Sequence, residues 1–341
     1  MKNLGFLNKI VFLVNVAFAT LLLFSYALPF VFPKSFPSLS VFSLTVPILI
    51  LVNILFLIYW LLRLKKQLFL SLVILVLGYN HILSFYRLPV GSSVSEENPG
   101  AFSVMSYNVR LFNRYEWIPE KGIDGKILDF LRKESPDVLC LQEFYYEKED
   151  MFSQYTYRYI RYKTKNQKTG QAIFSKFPIV NRGSLEFPNT GNNAIFADIV
   201  NKDDTIRVYN LHLESLRINP EKEVTQEESE RMFKRMGLSF TIQQNQAELF
   251  KKHNAQCPFP KIVCGDFNNT QYSNIYRQVR GDMKDTFEEA GKGFGRTFNF
   301  KYFPVRIDFI LADPEIDVLT HTTFSQVYSD HFPIAATLVS P

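Results

Sequence analysis

Three apolar runs with almost no polar face open the chain. They cover about residues 10–33, 41–62 and 68–88, the last being apolar to about residue 85. A bilayer's hydrocarbon layer is about 30 Å thick and takes about 20 helical residues to cross. The first two runs have that length, and the third is slightly shorter. A single run of this kind is equally a buried core helix. Three in succession predict insertion into a membrane, and a cleaved signal peptide accounts only for the first. Residues 91–100 (G-S-S-V-S-E-E-N-P-G) have linker composition.

From residue 101 onward the pattern changes. Residues 102–109 (F-S-V-M-S-Y-N-V) alternate as a half-buried strand does. Ile123, Ile127, Leu128 and Leu131 fall on one face of a helix over 123–133, which Ser135-Pro136-Asp137 closes. Further strands are predicted at 138–141, 171–174, 194–200, 206–213, 261–264, 306–311 and 334–339. A long helix is predicted at 227–253, with Gly237 as a possible break. Many strands with few crossover helices predict an α/β fold of two packed sheets flanked by helices, behind an N-terminal helical transmembrane region. Residues 101–341 form the expected catalytic domain.

Charge changes the picture in two ways. Seven of the 38 Lys/Arg and two of the 33 Asp/Glu lie in residues 1–99, so the whole +5 belongs to that segment and the remainder is balanced. A dedicated nucleic-acid binder usually carries a basic domain, and this chain lacks one. Lys2 and Lys9 precede the first run, and Arg63, Lys65 and Lys66 separate the second from the third. The positive-inside rule places both groups in the cytoplasm. Three crossings then put the C-terminal domain on the extracytoplasmic side of a cell membrane; an interfacial third run would leave it cytoplasmic. Asn80 and His81 near the end of the third run read as interfacial solvation. Cys140, Cys257 and Cys264 lack metal-ligand spacing, and two of them sit in apolar strand-like runs as small hydrophobes.

The candidate chemistry gathers at strand ends. In I-V-C-G-D-F-N (262–268) an apolar strand is expected to break at Gly265, leaving Asp266 and Asn268 to project. Asn108 ends the first strand, Gln142 and Glu143 end the second, and His212 lies in Y-N-L-H-L-E-S. Asp308 lies in R-I-D-F-I-L, and Ser329-Asp330-His331 precede the last strand. Carboxylates and carboxamides suit a hard divalent cation, and histidines suit proton transfer near neutral pH. Singly, each has a plainer explanation: His212 can be a strand histidine bonded to backbone, and G-D-x-N occurs as turn chemistry. Asp308 between Ile307 and Phe309 is different, because an unpaired carboxylate in an apolar strand is costly. It needs a partner, and His331 is a reasonable one.

In order, S-Y-N-V, L-Q-E, G-Q-A-I-F-S-K-F-P-I, N-L-H-L, G-D-F-N, R-I-D-F-I and S-D-H resemble the endonuclease/exonuclease/phosphatase superfamily over about residues 101–339. That group includes deoxyribonucleases, abasic-site endonucleases, neutral sphingomyelinases and inositol polyphosphate 5-phosphatases. The resemblance implies a four-layer α/β sandwich and a hydrolase using magnesium or manganese. It implies Glu143 as principal metal ligand, with Asn108 and Asp330 at the metal site. His212 would stabilise phosphoryl oxygens or assist the leaving group, Asp266 would orient or deprotonate water, Asn268 would bind the phosphate, and Asp308 would orient His331. The expected reaction is in-line attack of water on a phosphodiester.

The substrate is less defined. Residues 155–168 interleave Arg158, Arg161, Lys163, Lys165 and Lys168 with four tyrosines, which suits an anionic partner or a solvated hairpin. The Gly-rich loop 291–298 could cradle phosphate, with Arg296 as donor, or be a mobile turn. Residues 217–236 read as a solvated helix or a lid. A lipid or small phosphodiester is expected, with the bilayer as a partner through the N-terminal helices and no obligate protein partner. A membrane-tethered nuclease and a non-catalytic binding module of the same fold are the alternatives.

Overall fold

The computed structural model describes residues 4–88, 100–162, 168–218 and 225–340. The expected linker, apart from Gly100, lies outside the described residues, as do Lys163, Lys165 and residues 219–224.

The N-terminal segment folds into α1 (Phe6–Ser25), α2 (Pro37–Val41), α3 (Val46–Leu62), α4 (Leu68–Leu77) and α5 (Tyr79–Leu83). Two stretches, Phe6–Phe30 and Pro37–Leu62, are long and apolar enough to cross a membrane. The third run is not one spanning helix. It breaks at Gly78 into α4, about 15 Å long, and the single turn of α5. Tyr26 lies against this point: its hydroxyl donates to the Ile74 carbonyl (2.9 Å) and its ring end occupies the space that a Cβ on Gly78 would need, so glycine is required there. Buried polar side chains tie the helices together. Asn15 donates to Ser71 Oγ (2.8 Å) and accepts from Trp60 Nε1 (2.9 Å), and Asn53 donates to the carbonyls of Leu49 and Phe18. Apolar tails give no driving force between helices in lipid, so such bonds specify the packing there.

The rest of the chain runs β1 (Ala101–Asn108), α6 (Ile123–Glu134), β2 (Val138–Tyr145), β3 (Tyr157–Tyr162), β4 (Thr169–Ser175), β5 (Ile179–Ser184), β6 (Asn193–Asn201) and β7 (Asp204–His212). There follow α7 (Gln226–Asn254), β8 (Lys261–Asp266), α8 (Asn274–Arg280), β9 (Lys284–Asp285), α9 (Thr286–Ala290), β10 (Asp308–Ala312), β11 (Asp317–Thr323) and β12 (Ile334–Val339). One sheet has the order β11-β12-β1-β2-β4-β3 and the other β5-β6-β7-β8-β10-β9. Each contains one parallel pair at its centre, β1 with β2 and β7 with β8, and these four strands end at the same edge of the sandwich. Strand alternation sends Val104, Val138, Cys140, Val208, Ile262, Cys264 and Ile310 into the layer between the sheets. The outer faces pack on α6 on one side and on α7 and α8 on the other, which makes four layers.

Two glycines act differently from expectation. β8 does not break at Gly265 but continues to Asp266. Gly265 has φ +144°, and a Cβ there would lie 1.9 Å from the Leu211 carbonyl, so glycine is what lets β8 lie against β7 beside the site. Nor does Gly237 break α7; it brings that helix close to Pro37 of α2.

The N-terminal segment is packed on the sandwich. Val41 is buried in the layer between α7 and its sheet. Lys34 donates its backbone N–H to Gln244 and pairs with Glu248. Asn274 donates to the Pro29 carbonyl (2.8 Å), Tyr272 to that of His81 (3.1 Å) and Gln271 to that of Ser84 (3.1 Å). The His81 ring stacks on Tyr272, so it is an interface residue and not merely a solvated one. Arg87 pairs its backbone with Gly293, and Phe294 packs on Phe85 and Tyr86. The Gly-rich loop therefore docks the N-terminal segment, which gives its sequence a structural reason in place of a phosphate cradle.

Candidate active site

The common edge of the four central strands fixes where the reactive side chains stand. Asn108 lies opposite Gln142 in the parallel β1–β2 pair, and His212 opposite Asp266 in β7–β8. β10 runs antiparallel to β8, so its first residue, Asp308, also lies opposite Asp266. Polar residues from both sheets thus meet at one end of the sandwich.

Glu143 sits at an irregularity in β2 between Leu141 and Phe144 and has φ +50°. An extra residue of this kind re-aims a side chain, here toward the other sheet. Asn108 bridges the two sheets, donating to Asp266 Oδ2 (3.0 Å) and to Glu143 Oε1 (3.4 Å). Its own oxygen accepts from the Arg110 backbone N–H (3.0 Å). Asp266 is buried and also accepts from the Asn268 backbone N–H (2.8 Å). Its Oδ2 lies 3.6 Å from Nε2 of both His212 and His331. Nδ1 of His331 is 2.9 and 3.1 Å from the two oxygens of Asp308. Thr297 Oγ1 accepts from the backbone N–H groups of Ile307 and Asp308 and fixes the start of β10.

Burial sets the protonation pattern, and charge modifies it. The Asp266 carboxyl is raised to about 6, by burial first and with Asp308 adding to it, against the opposing pull of both histidines. Burial lowers His212, which is therefore neutral at pH 7. Burial would lower His331 too, but the carboxylates of Asp308 and Asp266 outweigh it and hold the imidazole well above its usual range. Glu143 is raised by burial and then by the charge of Asp330. The site thus offers a carboxylate that is basic for its type, a cationic imidazole and a neutral one, all facing one point.

Residues 105–331 match the model of the "Endonuclease/Exonuclease/phosphatase family", about two thirds of the chain. The chain belongs to that family. Its members hydrolyse phosphoester bonds, and this chain is a hydrolase of that class. Residues 8–85 match a second model, described as "Domain of unknown function (DUF8431)". No curated protein matches the sequence. Among solved structures, an endonuclease/exonuclease/phosphatase family protein from Bacteroides thetaiotaomicron is 20% identical with a TM-score of 0.54, over 71% of this chain and 98% of its own. The mannosyl-6-phosphatase of Bacteroides thetaiotaomicron VPI-5482 is 20% identical with a TM-score of 0.51, over 70% of this chain and 99% of its own. D. rerio TDP2, complexed with a single-strand DNA product, is 16% identical with a TM-score of 0.54, over 70% and 99%. At these identities the likeness is one of fold.

The family's edge-on arrangement brings together eight of the ten expected site residues: Asn108, Glu143, His212, Asp266, Asn268, Asp308, Asp330 and His331. Arg296 stands apart, and Arg161 lines a cleft that Glu143 and His212 also line. Arg296 bonds to the Phe298 and Phe300 carbonyls and to Asn299, and lies over the Phe332 ring, so it braces its own loop. Arg161 is at the outer end of a cleft, paired with Glu186 at 2.7 Å. Asp330 is paired with Arg110 Nε at 3.3 Å, and Arg110 stacks on Trp117.

Other structural features near this edge were not singled out from the sequence. Arg110, Leu111, Phe112 and Asn113 all have positive φ, 40–57°. A left-handed run costs about 1–2 kcal/mol per L-residue, and here it is held by the buried Phe112 ring and the Asn108–Arg110 bond. Asn210 is fully buried and donates to the carbonyls of Leu141 and Ala172 while accepting from Gln142, which ties the two sheets together. A polar residue at an inward position of an apolar strand was the available signal, as the carboxylate was for Asp308.

Two clefts open from the reactive centre. One, of about 260 Å³, is lined on its far side by apolar side chains including Leu44, Leu216, Phe300 and Phe303. The other, of about 420 Å³, is lined by Arg161, Gln171, Glu186, Thr190, Asn192 and Asn193. Glu143, His212 and Ser215 belong to both.

Proposed function

We propose that this chain is a membrane-anchored, divalent-metal-dependent phosphodiesterase whose catalytic domain, residues 101–341, stands on the extracytoplasmic face. The observation that carries the chemistry is the convergence of Glu143, His212, Asp266, Asp308 and His331 from both sheets on one cleft edge. A non-catalytic binding module would have no need of a buried Asp308–His331 pair held at 2.9 Å.

The donor set fits a magnesium or manganese ion. Hard oxygens from Glu143 and Asp330 line the same cleft, and a cation there would offset both the burial that raises the Glu143 carboxyl and the added charge of Asp330. Asn108 turns its NH2 to the carboxylates and so orients Glu143 in this arrangement. Asp266, Asp308 and His331 also place ligand atoms within 4.8 Å of one another. There Asp308 and Nδ1 of His331 already satisfy each other, so that group reads as proton-transfer machinery. When bound, the ion supplies a Lewis acid at a phosphoryl oxygen. The chain's own residues do the rest. Asp266, ionised at pH 7, takes a proton from a water whose oxygen bonds to phosphorus. His331 gives its Nε2 proton to the departing oxygen, and His212 donates to a phosphoryl oxygen.

For the membrane, residues 28–45 and 81–87 pack on the catalytic domain, while Arg63, Lys65 and Lys66 lie exposed beyond the far end of α3. That arrangement supports a cytoplasmic position for the basic residues and the opposite side for the domain. The balanced charge of residues 100–341 favours a lipid or small phosphodiester over nucleic acid.

The test uses the full chain held soluble in an amphipathic polymer. Bis(p-nitrophenyl) phosphate, a diacyl phospholipid and single-stranded DNA are offered with magnesium, with manganese and with EDTA. Diester hydrolysis is expected with either metal and none with EDTA. Hydrolysis that EDTA leaves untouched refutes the metal assignment, and DNA cleavage that falls steeply with salt identifies a nuclease instead.

A further inference from the structure

Leu44 reaches the catalytic cleft from outside the catalytic domain. It lies between α2 and α3, near the start of the second membrane-length segment, Pro37–Leu62, and it stands with Leu216, Ile218, Phe300, Phe303 and Val305 on the apolar side of the cleft. Phe32 and Phe36 in the join between the two segments, and Leu39 and Phe42 at the start of the second, are exposed. Large exposed apolar side chains in succession mark an interaction surface, and a loop joining two spans lies at the bilayer surface. The apolar groove is therefore continuous with the reactive centre at one end and with a membrane-facing surface at the other.

The opposite side of the reactive centre has the reverse character. Thr190 bonds to Glu214, Asn192 donates to the Leu213 carbonyl (2.8 Å), and Gln171 donates to the Asn210 carbonyl (3.0 Å), so amide and hydroxyl groups are held in fixed positions along it. A phosphate at Glu143 and His212 would have an apolar trough on one side and a polar trough on the other.

We infer that the substrate is an amphiphilic phosphodiester, its hydrocarbon chain in the groove walled by Leu44 and Phe303 and its polar headgroup in the cleft of Thr190 and Asn192. This rests on the phosphodiesterase reading above. It makes the start of the second membrane-length segment part of the substrate site. That gives a reason, beyond anchoring, for α2 to be packed on α7 with Val41 buried beneath it. The groove favours chain-bearing substrates because each methylene moved from water to an apolar wall adds binding that a short ester cannot supply.

The experiment measures kcat/KM of the full chain, in the amphipathic polymer with magnesium, for p-nitrophenyl phosphodiesters whose second ester is methyl, butyl or octyl, each below its micelle concentration. The wild-type octyl-to-methyl ratio is expected to be at least about tenfold. Leu44→Asp and, from the opposite wall, Phe303→Ser are each expected to reduce that ratio at least about fivefold, with thermal unfolding showing that each variant is folded. Phe303 belongs to the catalytic domain, so its variant decides the matter should Leu44→Asp not fold. No hydrolysis of any ester overturns the phosphodiesterase reading itself. Hydrolysis indifferent to chain length overturns the amphiphile inference and leaves the enzyme standing. A chain-length ratio that survives both substitutions overturns the assignment of the groove.

Discussion

Asp308→Asn tests the proton-transfer reading at its most defined point. Asp308 is 2% exposed, and its oxygens lie 2.9 and 3.1 Å from Nδ1 of His331. It is the first carboxylate among the charges that carry the imidazole above its usual range against the effect of burial. Asparagine keeps the shape and removes the charge. A hydrogen bond to a charged group contributes about 1.5–3 kcal/mol, and about 1.4 kcal/mol is tenfold in rate. Loss of that bond in the transition state alone costs about tenfold to a hundredfold. The amide can also turn its NH2 toward Nδ1, which then cannot carry a proton, so the ring is held neutral and is a poor donor from Nε2. In a serine triad the same exchange costs about 10⁴-fold.

The expected fall in kcat is therefore between about 10² and 10⁴. A second readout separates this role from a structural one. Without Asp308 the imidazole loses its proton at lower pH, so the alkaline limb of kcat/KM must move down in pH. Turnover of bis(p-nitrophenyl) phosphate with magnesium across pH 5–9 measures both. A folded variant within threefold of wild type, or one whose alkaline limb does not move, refutes the assignment of His331 as the proton-bearing group.

Three further outcomes follow from buried geometry. Gly265→Ala places a methyl 1.9 Å from the Leu211 carbonyl at φ +144°, and thermal unfolding is expected to show a loss of about 3 kcal/mol or more together with lost activity. Asp285→Asn leaves Arg306, buried and paired to Asp285 at 2.6 Å, without its counter-charge, so destabilisation of about 3–5 kcal/mol is expected in denaturant titration. Burial alone would raise the Asp285 carboxyl, yet Arg306 holds it below its usual range; its contribution is present above the unfolded carboxylate pKa and is lost as pH falls through the lower folded value. Deleting residues 1–99 removes the carbonyls of Pro29, His81 and Ser84 that accept from Asn274, Tyr272 and Arg306, and the fragment is expected to melt lower than the full chain and to bind a hydrophobic dye.

How much of this was legible depends on what kind of information each element carries. The strands at β1, β12 and β6–β8 were readable because their inward faces are buried by a whole opposing sheet, which forces Val, Ile and Cys onto alternate positions. β3, β5, β9 and β11 were not assigned. They lie at or near sheet edges, where one face is half solvated and the alternation fades, as in Ile179–Ser184, whose side chains are intermediate or exposed throughout. Asp308 was legible as a site residue because a carboxylate between Ile307 and Phe309 has no cheap explanation. Arg296 was not, because a Gly-rich loop with an arginine looks the same whether it faces phosphate or braces its own carbonyls. Only the third dimension puts Phe298 and Phe300 within its reach.

The third apolar run is the instructive case. Composition alone makes 68–88 a span, and nothing in it forbids a straight helix. The structure breaks it at Gly78, where Tyr26 from the end of α1 lies in the place of a Cβ and glycine alone fits. That break turns Tyr79–Leu83 away from α4 and delivers His81, Ser84 and Arg87 to the catalytic domain. A linker read from residues 91–100 suggests a tethered domain that moves independently of its anchor. The packing argues for the reverse. Tyr272 of the catalytic domain is 1% exposed and clusters with Leu22, Val46 and Phe85 of the N-terminal helices, and Val41 of those helices is buried among catalytic-domain side chains. Each part completes the other's core, so the orientation of the cleft toward the membrane-length helices is a property of the fold and not of the tether.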